Sequence, residues 1–117
     1  MKHRYLVVDT REVEAETAAQ VFGVVRRTVL EESGEFGLGR ANPQVRFYDK
    51  RARLAVVRVS RESAPQFPRA QLRVLTTHGS IRSCRPRAMR FLRERYGPLG
   101  DDASLDAGLA ELARASN

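Results

Sequence analysis

The apolar positions of this chain switch between a period of two and a period near 3.6. RYLVVD, residues 4–9, is a short β-branched and aromatic run that predicts a strand. From Val13 to Glu32 the spacing is helical, with Val13, Thr17, Val21, Val25 and Thr28 on one face and Val24 and Val29 widening it. Glu12, Glu14 and Glu16 crowd the expected first turn, where the helix dipole favours acids. Gly34 is expected to end that helix as a left-handed cap. QVRFYD and RLAVVRV predict two strands joined in a hairpin at DKRA, and QLRVLTT predicts a fourth strand. After the turn HGS, Pro86 suits the first position of a helix reaching Tyr96. A last short helix is expected from Leu105 to Ala113.

Strand, helix, strand, strand, connection, strand is the order of an α+β, ferredoxin-like split βαβ sheet with C-terminal helices. Its third and fourth strands lie parallel with the first between them, so a crossover must join them. Such crossovers usually contain a helix, yet SRESAPQFPRA supplies only a short segment with Pro65 and Pro68. An extended or single-turn link is expected, with the second crossover helix missing or vestigial. Leu54 and Val56 point to one side of the third strand and Ala55, Val57 and Val59 to the other; Tyr5 and Val7 oppose Leu6 and Val8. A sheet apolar on both sides is covered on both. The long helix covers one face, and the C-terminal helices or a partner protein the other. Residues 1–117 are read as a single domain, with 97–117 a helical tail.

The chain has 117 residues, 42% of them hydrophobic, enough for one modest core. A single cysteine, Cys84, excludes an intramolecular disulfide and the usual thiolate zinc sites. With no membrane-length apolar run and no signal-peptide pattern, a soluble intracellular protein is expected. Charge changes the picture most. Residues 40–96 carry fifteen Lys and Arg against three acids, a local charge of +12, while the rest of the chain is at −5. Arginine dominates, and its planar fork of donors suits phosphate. A polyanionic partner competes with a blander reading, in which coding bias has put arginine on an ordinary surface.

The segment THGSIRSCRPRAMRFLRER concentrates the surplus, with six arginines in fourteen residues and one acid, Glu94. On a helix, Ala88, Met89, Leu92 and Tyr96 share one arc while Arg87, Arg90 and Arg93 share the opposite one. Gly79 and Ser80, ahead of the helix, offer backbone donors to a phosphate. Phe91 fits either base stacking or packing on a neighbouring element. RLAVVRV lacks the aromatics of a base-stacking sheet. His3 and His78 stand alone, and Asp9 and Asp49 read as solvated or capping residues, so no catalytic or metal set is expected.

KHRYLVV (2–8), GEFGL (34–38), VRFYD (45–49), VVRVSRE (56–62) and LRVLTTHGSIRSCRPRAMRFL (72–92) together resemble one family. It is the small ferredoxin-like subunit called "processing of precursors five", shared by archaeal and eukaryotic ribonuclease P and by ribonuclease MRP. The resemblance implies a non-catalytic protein subunit, stabilising the catalytic RNA domain for 5′-leader removal from precursor tRNA. It implies as partners the ribonuclease P RNA, precursor tRNA in the holoenzyme and a TIM-barrel-like subunit of the same particle. No membrane and no cofactor are expected; metal ions are implied on the RNA. Location would be nuclear or nucleolar in a eukaryote and cytoplasmic in an archaeon. RNA contacts are expected from Arg82, Arg85, Arg87 and Arg90, with Ser80 in the aiming turn and Lys2, His3, Arg4 and Arg73 adding to them. The chain departs from the family where a full helix would precede LRVL, which is expected to bare more of one sheet face. A protein–protein adaptor with no RNA role is the competing reading, and a small-ligand regulatory domain a third.

Overall fold

The structure, a computed structural model, describes residues 2–69 and 71–116. It runs β1 (His3–Asp9), α1 (Ala18–Ala41), β2 (Gln44–Asp49), β3 (Leu54–Ser60), β4 (Arg73–His78), α2 (Ile81–Tyr96) and α3 (Asp102–Arg114). The strands form one sheet in the order β2-β3-β1-β4, every neighbouring pair antiparallel. That is the ferredoxin-like order. The crossover from β3 to β4 has only a single 3-10 turn at Ala64–Gln66, as its two prolines predict.

α1 starts later and runs further than its apolar spacing predicts. Thr17 is extended and its hydroxyl accepts the Gln20 amide at 3.2 Å, so the helix begins at Ala18. Val13 and Ala15 are buried in the preceding loop instead. The loop is held there by Tyr48, whose hydroxyl donates to the Ala15 carbonyl at 2.7 Å, and by Arg53, which donates to the Val13 carbonyl at 2.9 Å. Glu12, Glu14 and Glu16 therefore precede the first turn. Gly34 is non-helical with a positive φ (φ +69°, ψ −178°) and interrupts the helix where its end was expected, but a second helical stretch resumes beyond it, where Leu38 and Ala41 pack on the core. The end comes at Asn42, left-handed, its amide donating to the Leu38 carbonyl at 2.9 Å.

α2 starts five residues before Pro86. Ser80 is the cap, accepting the Ser83 amide at 3.1 Å, and Ile81 and Cys84 pin the first turn to the sheet. Burial of those two outweighs the hydrogen bond that Pro86 forfeits on the exposed side. α3 also begins earlier than expected, at the Asp101 cap.

Both sheet faces are covered by the chain itself. Leu6, Val8, Val57 and Val59 meet Val21, Val25 and Val29 of α1 on one side. Tyr5, Val7, Leu54 and Val56 meet Ala88, Leu92 and Tyr96 of α2 and Leu112 of α3 on the other. The two-sided alternation is as predicted, but no partner is needed to cover it. Where the crossover helix is missing, Ala64, Phe67 and Leu72 of the short link are buried against the α1-side core, but they do not reach all of β4, which has no fully buried residue and leaves Thr77, opposite Leu6, exposed. α3 approaches β2 closely at Gly108, where a Cβ would sit 2.6 Å from Asp49 Oδ2. Asp49 in turn accepts the Tyr96 hydroxyl and the Ala52 amide, each at 2.8 Å, closing the hairpin and tying it to α2. Burial, and then Asp49, push the Tyr96 hydroxyl pKa up.

Candidate nucleic-acid interface

The six arginines of α2 divide into two kinds. Arg85 and Arg95 are latches. Arg85 is half-buried and donates through Nε and Nη2 to the Ala115 carbonyl, drawing the tail after α3 onto the helix. Arg95 donates through Nη1 to the Ala52 and Arg53 carbonyls and through Nη2 to Asp9 Oδ2, all at 3.0 Å. Asp9 is thus neither solvated nor a simple cap. It is 5% exposed, and it also binds Arg11 through the backbone amide and the guanidinium at 2.8 Å. Burial alone would raise the Asp9 pKa, but Arg95 and Arg11 outweigh it and hold the carboxyl at about 2.

Arg82, Arg87, Arg90 and Arg93 are exposed, on the arc opposite Ala88, Leu92 and Tyr96, as the helical spacing predicts. Glu94 lies 3.8 Å from Arg90, but both side chains are largely solvated, so the pair neutralises little. Phe91 is half-buried against the α2-side core, and the Arg87 guanidinium lies over its ring at 5.6 Å. Packing holds the ring while its arginine stays at the surface.

The second group of predicted residues meets at the end of the sheet beside the start of α2. Lys2, His3, Arg4, Tyr5, Gly79 and Ser80 line one open cleft there, together with Arg58 of β3. No acid lines it. Register explains the meeting, because Tyr5 is paired with Arg58 on one side and with His78 on the other. Arg4 donates through Nη1 to the His3 carbonyl at 3.0 Å, and the same nitrogen would be 3.8 Å from a Cβ at Gly79. His3 has its pKa lowered by burial and then by Arg58, and His78 by burial and then by Arg87. Gly79 and Ser80, which line the cleft, lead directly into α2 and join the cleft to its exposed arc. Arg73 is not part of this surface. It pairs with Asp9 at the opposite end of β4, about 17 Å away at strand rise.

Two residues of consequence, Arg58 and Arg95, escaped the sequence reading. Arg58 had a signal: in LAVVRVS it shares the parity of Leu54 and Val56, a core-facing position that calls for a reason. Arg95 had none, because its partner Asp9 is 86 residues away. Among the described residues, no group of three or more His, Cys, Asp or Glu could hold a metal ion. Cys84 is buried, and burial pushes its thiol up to about 12. No described helix is long and apolar enough to cross a membrane. A family model, that of the Rpp14/Pop5 family, matches residues 4–89. No curated protein matches the chain.

Proposed function

The chain belongs to the Rpp14/Pop5 family, a family of ribonuclease P subunits, and on that premise we propose that it binds and braces the structured RNA of the particle. The observation that carries this reading is a surface dominated by positive charge: the exposed arginines of α2 begin at Arg82, two residues after Ser80, which lines a cleft at the end of β1 with Lys2, Arg4 and Arg58 and, among its described lining residues, no acid. Arg82, Arg87 and Arg90 form the main contact, and Lys2, His3, Arg4 and Ser80 extend it. Guanidinium groups carried on a helix reach phosphates from a backbone that is already ordered, and folded RNA is recognised chiefly through its backbone and shape. Arg85 acts beneath this surface by fixing the tail, and Arg73 makes at most a separate contact.

In the particle, such a subunit neutralises phosphate repulsion so that the catalytic RNA domain folds and holds precursor tRNA at physiological salt. The RNA carries the metal ions and removes the 5′ leader; this chain supplies no reacting group. A TIM-barrel-like subunit is the proposed protein neighbour, and ribonuclease MRP a second particle it joins. The test is binding of the full chain to the catalytic domain of its own ribonuclease P RNA over a salt series. Charge reversal at two sites, R87E with R90E, should weaken binding by at least tenfold at ~0.15 M salt and flatten the log–log salt slope. Undiminished affinity in a folded double variant would overturn the assignment. A wild-type affinity for RNA with no salt dependence, or none at all, would favour the adaptor reading.

A further inference from the structure

We infer that Arg58, Arg4, Lys2 and the first turn of α2 form an oxyanion pocket that takes one phosphate group. The inference deepens the RNA reading and rests on it only for where the phosphate comes from. Arg58 sits on β3 opposite Tyr5, and its Nε is buried with no hydrogen-bond partner among the described residues. Buried guanidinium donors are normally matched to an acceptor. This one is closed to solvent, while the guanidinium side chain that carries it lines the open cleft, and among the described residues that line the cleft there is no carboxylate to serve it.

The donors converge from three directions. Arg58 comes from β3. Lys2 and Arg4 come from the start of β1, where Arg4 spends only one of its donors, on the His3 carbonyl. The third direction is the turn into α2, a 16-residue helix. There the Ser80 hydroxyl takes the Ser83 amide and the Ser80 carbonyl takes the Cys84 amide. The amides of Ile81 and Arg82 are left as the unpaired first-turn donors of that helix. A carboxylate is planar and satisfies donors in one plane. A phosphate offers tetrahedral oxygens, which suits donors from a strand, a second strand and a helix start. His3, whose pKa is lowered by burial and then by Arg58, also lines the cleft.

The probes are inorganic phosphate and a short single-stranded RNA, titrated into the full chain and followed by NMR of the His3 imidazole and the backbone amides of Ser80, Ile81 and Arg82. Phosphate should shift those signals saturably, and R58Q should weaken that binding at least tenfold. R4Q, at the surface, should do the same in part, and it decides the matter if R58Q does not fold. RNA that shifts the same signals, displaces phosphate and loses affinity in R58Q identifies the source as an RNA backbone. Phosphate binding that depends on Arg58 while neither the short RNA nor the catalytic domain of the ribonuclease P RNA binds would keep the pocket, assign it to free phosphate compounds and sink the RNA reading. Phosphate shifts that are absent, or equal in wild type and both variants, would overturn the pocket; RNA binding that still falls in R87E/R90E would leave the RNA reading intact.

Discussion

Asp9→Asn should remove both a large part of the acid sensitivity of this fold and the anchor of its arginine helix. The Asp9 carboxyl is held at about 2 against an ordinary 3.8. Linkage converts that difference into about 2.4 kcal/mol of stability at neutral pH. The sign follows from the direction. Because the folded-state pKa is depressed, the stabilisation is fully present above the unfolded value near 4 and is lost as pH falls toward 2. In the variant, Arg95 also keeps its two carbonyl acceptors but loses its carboxylate partner, and breaking a fully buried ion pair from one side costs about 3–5 kcal/mol, an upper bound for this partly solvated, still hydrogen-bonded arginine. At least about 2.4 kcal/mol should therefore be lost at pH 7. For a chain of this length that corresponds to a fall in Tm of about 10 °C. Urea unfolding measured at half-unit steps from pH 2 to 7 checks this, with wild type falling steeply below pH 4 and D9N nearly flat there. Parallel curves separated by less than about 0.5 kcal/mol would refute the reasoning, because the carboxylate would then be doing no more in the folded chain than in the unfolded one.

Gly108→Ala places a methyl group 2.6 Å from Asp49 Oδ2, so α3 must retreat or Asp49 must turn away from the Tyr96 hydroxyl. A loss of about 1–3 kcal/mol is expected, and a tyrosine titration moving back toward its ordinary pH would identify Asp49 as the group that yields; an unchanged melting curve would mean that α3 rides looser than its packing implies. Phe67→Ala should cost about 3 kcal/mol, in the usual range for a buried phenylalanine. Denaturant unfolding reads it, and a loss under about 1 kcal/mol would show that the crossover merely drapes over the sheet.

The strand pattern was legible because period-two alternation is local, and both faces of β1 and β3 announced themselves in consecutive residues. α1 was misjudged at its start and in its continuation past Gly34, for different reasons. Val13 continued the helical spacing by coincidence, and only the distant Tyr48 and Arg53 draw its loop inward. Gly34 does adopt a positive φ, but whether the helix resumes beyond it depends on Leu38 and Ala41 reaching the core, which no local pattern reveals. Pro86 misled because proline at a first helical position is a strong preference, and the burial of Ile81 and Cys84 that overrides it is a tertiary fact. For the candidate interface, spacing sorted Arg87, Arg90 and Arg93 onto the open arc correctly. It gave no means of telling a latch from a contact. Arg85 and Arg95 find their acceptors 30 and 86 residues away.

The short link between β3 and β4 bears on how freely this fold can be lengthened. Closing a flexible loop costs free energy only as the logarithm of its length, so doubling the link would add about 0.6 kcal/mol. That is far less than the burial of Phe67 and Leu72 contributes. The absent helix is then a small matter of chain entropy, and the indispensable parts are the two side chains that close the α1-side core. An insertion between residues 61 and 64 should be accepted as readily as a surface loop accepts one, provided those two side chains keep their seats.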